Sequence, residues 1–298
     1  LTFDASTGDQ TISGNSLTLS NLTVNKQTSG NLVVTTDVAV RNVLTMTKGN
    51  INNISIITLG SDSDNSGILS YSSGAITGKL RRYFSNAIGS KFFPVGLEDI
   101  ERRVTVNFSN SLPGQDQYLT TEYKTGTPTL TGPDGAYSGL PFTTADGQLI
   151  QNYDDEGYWE ISPGSNSTGD SYDATINLRE YDMSIRMNSL VGPPGGVVPG
   201  LIRLIKCSGP THLEWDDLLA HSGFSGGAGD FTITATGTGF SFFGAGAPDD
   251  GALPVELVSF TGDCADGVVD VTWTTASEHN SSHFELENSR DGITWDVV

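Results

Sequence analysis

The chain has 298 residues, carries 35 Asp and Glu against 15 Lys and Arg for a formal net charge of −20, and contains 36 Gly but only 2 Cys. That balance argues against nucleic acid, whose binding rests on Lys and Arg neutralising phosphates, and against an anionic membrane surface as a partner. No apolar run reaches the length of a membrane span, and two distant cysteines make neither a disulfide framework nor a zinc site.

The length suits two or three domains. Gly, Ser, Thr and Asn are abundant, and no stretch of ten residues has clean helical periodicity, so an all-β chain with many short turns is expected. It opens at Leu1 with neither an initiator Met nor a signal peptide, and an N-terminal part is therefore expected to precede it.

Residues 1–84 repeat loosely. Short apolar runs such as Leu17 to Val24, Leu32 to Val34, Val38 to Val40 and Ile54 to Leu59 alternate with corners at Gly30-Asn31, Gly49-Asn50, Asn52-Asn53 and Gly74. The phrases Leu44-Thr-Met-Thr-Lys-Gly-Asn-Ile51 and Leu69-Ser-Tyr-Ser-Ser-Gly-Ala-Ile76 match at a spacing of 25 residues. That period predicts coils of a β-solenoid, each burying one row of side chains against its neighbours. Locally the same alternation would also suit an antiparallel meander. Within the repeats, Ser61-Asp62-Ser63-Asp64-Asn65 comes closest to a calcium loop, with Asp62 and Asp64 as candidate ligands and calcium as the one cofactor considered; the later bidentate Glu of an EF-hand is missing.

Six of the 15 basic residues fall between Lys79 and Arg103. They could form an anion or glycan site, or pair with nearby acids at a domain junction. Residues 85–246 read as a β-sandwich with long loops, with strands expected at Val104 to Phe108, Tyr118 to Tyr123, Tyr158 to Ile161, Tyr172 to Leu178, Met183 to Met187, Leu201 to Lys206, Phe231 to Ala235 and Phe240 to Phe243. Trp215 to His221 is the one plausible short helix, or else an irregular loop.

Candidate chemistry is sparse. His212 and His221 flank Glu214, Asp216 and Asp217, a mixed nitrogen and carboxylate set that fits no His-Glu-x-x-His pattern, while His279 and His283 sit in a polar turn. Asp154-Asp155-Glu156 are adjacent on one loop, whereas glycosidase carboxylates must face each other across a cleft. No Gly-x-Ser-x-Gly elbow or phosphate loop occurs. Cys207 and Cys264 could form a single bridge in an oxidising compartment, or remain two buried thiols.

A linker is expected at 247–252 and a partial sandwich module at 253–298, with alternating strands at Val255 to Phe260, Val268 to Trp273 and from Phe284, and an Asp291-Gly292 turn leading to Trp295. Leu253-Pro-Val-Glu-Leu-Val-Ser-Phe260, Val271-Thr-Trp-Thr-Thr-Ala-Ser-Glu278 and Phe284-Glu-Leu-Glu-Asn-Ser-Arg-Asp-Gly-Ile-Thr-Trp295 resemble the fibronectin type III-like module that precedes the C-terminal sorting domain in cargo of the Bacteroidetes type IX secretion system. The repeats and the strand Phe240-Ser-Phe-Phe-Gly244 are similar to large surface proteins of the same bacteria.

The resemblance implies an incomplete fibronectin type III-like sandwich whose exposed apolar edges need a cover. It also implies a protein that is secreted or lies on the extracellular face of the outer membrane. The expected function is a non-enzymatic, structural or adhesin-like one. Its expected partners are type IX secretion or outer-membrane components, glycans or neighbouring surface proteins. The alternatives are the non-catalytic part of a secreted carbohydrate-active enzyme, and cargo captured with its secretion machinery.

Overall fold

A computed structural model describes residues 1–5, 7–26, 30–85, 90–97, 100–108, 117–126, 141–153, 157–164, 173–181, 202–207, 215–216, 219–227, 230–247, 256–265, 268–277, 284, 286–289 and 294–297. The described residues form an all-β chain.

The N-terminal part is a β-solenoid. Its strands are β1 (Thr2–Phe3), β2 (Gln10–Ile12), β3 (Leu17–Asn25), β4 (Leu32–Val34), β5 (Val38–Lys48), β6 (Ile51–Asn53), β7 (Ile56–Leu59), β8 (Ile68–Tyr71) and β9 (Lys79–Tyr83). One sheet stacks β2, β4 and β6, and the other stacks β3, β5, β7 and β9, with β1 on β3 and β8 on β5; every one of these pairings is parallel. Parallel pairing rules out the meander. Equivalent residues stack from coil to coil: Leu32 on Ile51, then by single bridges Ile76 and Val95, all buried.

The 25-residue period is a physical register. Leu44 pairs with Leu69 and Met46 with Tyr71, while Ile51 bridges to Ile76. Between these rows Gly49 and Gly74 turn the chain at φ of +91° and +98°, and a Cβ on Gly74 would lie 2.0 Å from the Gly49 carbonyl oxygen. Only glycine allows both that φ and that approach.

Polar corner residues bind the next coil's backbone. Asn31 N–H donates to Asp9 Oδ1 at 2.8 Å, Asn50 Nδ2 to Asn31 Oδ1 at 3.3 Å, and Ala75 N–H to Asn50 Oδ1 at 2.9 Å. A second ladder runs from Gly78 N–H to Asn53 Oδ1 at 3.1 Å. Corners cannot pair as strands do, so side chains link successive coils there, and Asn50 and Asn53 satisfy the buried backbone donors of Ala75 and Gly78.

A β-sandwich follows, made from β10 (Ser90–Phe93), β11 (Gly96–Leu97), β12 (Ile100–Glu101), β13 (Val104–Phe108), β14 (Tyr118–Thr125), β15 (Phe142–Thr143), β16 (Leu149–Ile150), β17 (Asn152–Tyr153), β18 (Gly157–Pro163), β19 (Asp173–Tyr181), β20 (Arg203–Cys207), β21 (Trp215–Asp216), β22 (Leu219–Gly227), β23 (Asp230–Thr238) and β24 (Phe242–Ala247). One sheet runs β10-β13-β19-β23-β22, and the other runs from β9 through β14, β18, β24 and β20 to β21. Strand β9 belongs to both architectures, parallel to β7 on one side and antiparallel to β14 on the other.

The main core cluster likewise spans both parts, from Ile12 and Leu22 in the coils to Val104, Trp159, Ile233 and Phe243 in the sandwich, with a smaller cluster of Ile150, Tyr153, Ile205 and Cys207 beside it. Trp159 is fully buried, and its indole N–H donates to the Arg102 carbonyl at 2.9 Å, joining β18 to the segment that leads into the opposite sheet. Tyr123 meets the Trp159 ring edge-on at 5.1 Å.

The C-terminal part comprises β25 (Glu256–Ala265) paired antiparallel with β26 (Val268–Ser277), and β27 (Glu287–Asn288) paired antiparallel with β28 (Asp296–Val297). Val258, Phe260, Val268 and Val269 are each more than half exposed, and Trp273 packs on Phe284 with ring centroids 5.7 Å apart.

Two expectations need correction. Within Trp215 to His221 the described residues are not helical: Trp215–Asp216 is strand β21, and Leu219 opens β22. Pairing to β20 and β23 supplies the backbone partners that a lone helical turn could not. The linker does not begin at 247, because Ala247 is a buried strand residue opposite Asn152. Outside the described residues lie Met183 to Met187, Pro248 to Val255 and the Asp291-Gly292 turn.

Candidate functional site

The outward face of the shared sheet carries a groove lined by described residues. Strand alternation sends Leu80, Leu119, Tyr123, Trp159 and Ile161 into the core. The intervening residues Lys79 and Arg81 on β9, Tyr118, Thr120 and Glu122 on β14, and Glu160 and Ser162 on β18 line a shallow groove of about 210 Å³ with Ile56 and Pro163. Cross-strand register orders them in rows: Arg81 lies opposite Thr120 and Thr120 opposite Ser162, while Glu122 lies opposite Glu160.

Arg81 is held at two points. Its Cζ stacks 4.3 Å above the Tyr118 ring, which Tyr83 braces edge-on at 5.2 Å, and its Nε donates to Thr120 Oγ1 at 3.2 Å. Two carboxylates directly opposite each other on adjacent strands repel. Lys124, the next outward residue on β14, relieves that repulsion: its Nζ lies 2.5 Å from Glu160 Oε2 and 3.7 Å from Glu122 Oε2. Burial alone would pull the Lys124 ammonium down, but the hydrogen bond to Glu160 and the charges of Glu160 and Glu122 hold it above the ordinary lysine value. Glu122 Oε2 is buried and receives no hydrogen bond.

The basic segment 79–103 is not one patch. Five of its six cations lie over aromatic rings: Arg81 on Tyr118, Arg82 on Phe93, Lys91 on Phe84, Arg102 on Tyr123, and Arg103 on both Tyr71 and Phe92. Tyr71 comes from a solenoid strand and Phe92 from a sandwich strand, with centroids 5.0 Å apart, so Arg103 seals the junction between the two. Arg82 points inward and is buried, where it donates from Nη1 to the Phe92 carbonyl at 2.6 Å, and desolvation lowers its guanidinium to about 10. Among the described residues of this segment, Lys79 and Arg81 carry charge into the groove.

The Asp62 carboxylate is engaged within its own loop. Asp62 Oδ1 accepts from the N–H groups of Asp64 at 2.9 Å and Asn65 at 2.8 Å, and Oδ2 accepts from Ser61 Oγ at 2.9 Å. The Asn65 backbone and Ser61 hydroxyl bonds come first in lowering the Asp62 carboxyl, and the Asp64 backbone bond adds to them. Asp62 thus folds the loop as an Asx turn, with Oδ1 bound to backbone N–H groups and Oδ2 to the Ser61 hydroxyl. Among the described residues no group of three His, Cys, Asp or Glu side chains is placed to hold a metal ion.

Cys207 is a buried thiol in β20 and Cys264 an exposed one in β25, with no disulfide between them. The backbone of Asp216 is in β21 and that of His221 in β22. His212, Glu214, Asp217, His279, His283 and Asp154 to Glu156 lie outside the described residues.

Reading for motifs passes over Glu122, Glu160 and Tyr118, because the two carboxylates are 38 residues apart and share no local phrase. The available signal is the alternation Tyr118, Thr120, Glu122, Lys124, an unusually polar and charged outer face for a strand whose inner face is core. No family model matches the chain, and neither does any curated protein or solved structure.

Proposed function

We propose that this chain is a non-enzymatic structural and adhesive part of an extracellular protein, delivered to the cell surface by the type IX secretion route. The observation that carries this reading is the unbroken sheet from the coils into the sandwich, with β9 common to both. A solenoid that passes into a sandwich without a hinge transmits position along its length. Whatever the outer face grips is then held on a stiff support instead of a loop. Many such weak contacts on neighbouring copies would add up to firm attachment by effective concentration. The phrases within residues 253–298 support the export route, and the apolar faces of the β25–β26 hairpin suit docking to a further β element, whether from the secretion machinery or a neighbouring surface protein.

Protease shaving of intact cells that express the protein, with immunoblots of the surface, periplasmic and cytoplasmic fractions, tests the reading. Loss of the signal on shaving is expected. Retention behind the outer membrane, or hydrolysis of polysaccharide by the purified chain, would overturn it.

A further inference from the structure

We propose that the groove on the shared sheet binds a sugar bearing one carboxylate, a uronic acid residue, with Arg81 holding the carboxylate and Glu122 and Glu160 accepting hydrogen bonds from ring hydroxyls. This deepens the adhesive reading and rests on it for the source of the ligand.

Three observations lead to this ligand. First, the protein as a whole has 35 acidic and 15 basic side chains, so carboxylate partners are plentiful, yet neither Lys79 nor Arg81 forms an ion pair with any described residue. Arg81 is instead oriented by Tyr118 and Thr120, which engage its face and its Nε and leave the terminal amino groups for a planar anion.

Second, the local charge limits that anion. Among the described residues the charged groups lining the groove are Lys79, Arg81, Glu122 and Glu160, with Lys124 paired to the glutamates beside it, a balance that suits a single negative charge, whereas a dianionic phosphate would meet the carboxylates and the strongly acidic remainder of the molecule. Third, the carboxylates lie one cross-strand row from Arg81, two residues along β14, which is roughly 7 Å at strand rise. That is the span of one sugar ring between a carboxylate substituent and its far hydroxyls. Because Lys124 already compensates the two glutamates, they are set to accept from neutral hydroxyls more than to bind an ammonium group. At about 210 Å³ the groove is smaller than the roughly 300–1,000 Å³ of a drug-sized pocket, so one ring of a longer chain is the unit held.

The test is calorimetric titration of the 298-residue chain with oligoglucuronate, in parallel with neutral gluco-oligosaccharide, a monosulfated sugar and free glutamate. Saturable binding of the uronate, with the neutral oligomer silent, is expected. Arg81→Gln should weaken it roughly tenfold or more, the loss of a charge-assisted pair. Glu122→Gln should weaken it less while leaving the melting temperature within a degree or two of wild type. Equal binding of neutral and uronate oligomers, preference for the sulfated sugar or for glutamate, no binding at all, or uronate affinity indifferent to Arg81→Gln would each overturn the assignment. Cell shaving fails or succeeds independently. A groove that binds uronate in a protein held inside the cell would sink the adhesive reading, and a shaved protein that ignores uronate would sink this one.

Discussion

Arg82 shows how one side chain can be tolerated in a place chosen for apolar ones. In its column of the solenoid sheet the preceding coils place Leu19, Val40 and Leu59, and the next position is a guanidinium with 5 % exposure. Its Nη1 donates to the Phe92 carbonyl, its Nε has no partner, and the Phe93 ring lies 5.8 Å away. Desolvation lowers its pKa to about 10, so the buried charge costs stability at neutral pH, a cost that would lessen only as the pH rises through that value. Replacing a buried ion with an apolar residue of similar volume is often neutral or stabilising, by up to about 4 kcal/mol. Both Arg82→Met and Arg82→Ala remove the donor to the Phe92 carbonyl, but Met fills the space; Arg82→Met is therefore expected to hold or raise the midpoint of chemical denaturation, whereas Arg82→Ala, which also leaves a void, lowers it. A drop for Arg82→Met as large as for Arg82→Ala would show that the guanidinium stabilises the junction.

At the scale of elements, the coil corners set the register. Gly74 combines φ of +98° with an approach to the Gly49 carbonyl that no Cβ survives, so Gly74→Ala must shift one corner against the other. A cost above about 1 kcal/mol is expected, since alanine is penalised wherever φ is positive and here meets backbone as well. Urea denaturation of Gly74→Ala beside Gly14→Ala separates the two contributions, because Gly14 has positive φ with open space around it. Equal losses would show that strain alone matters. These corners are also the legible part of the sequence. The matched phrases at Leu44 and Leu69 carry the coil period because strand, glycine and following apolar residue recur in the same order, and stacking makes that order visible. The sandwich strands Val104–Phe108 and Tyr118–Thr125 are readable from alternation, but their neighbours are not, since pairing β13 with β19 joins residues some 70 positions apart. The groove escapes a linear reading for the same reason. Arg81, Glu122 and Glu160 lie on three strands separated by loops, and only the folded sheet makes them one surface. At Asp62 and Asp64 the oxygen-rich spacing also serves an Asx turn, which a linear reading does not distinguish from a cation loop.

On the scale of the whole molecule, the decisive question is whether coils and sandwich are two folding units or one. Composition changes at the boundary near residue 84, which suggests two. The strand order says otherwise, for β9 pairs with β7 along one edge and with β14 along the other, and the buried cluster crosses the boundary without interruption. Neither half can unfold without baring the other's edge strand and apolar face, so the cost of separation falls on both. One calorimetric transition is therefore expected for the coils and sandwich together, with calorimetric and van't Hoff enthalpies in agreement. Leu80, fully buried in the shared strand, is the sensitive probe. Leu80→Ala should lower the whole transition, at a cost of roughly 2–5 kcal/mol from lost burial and the cavity left behind. Splitting of the endotherm into two, with only one peak displaced by Leu80→Ala, would show that the repeats and the sandwich are stable apart and that the sheet continuity between them carries little energy.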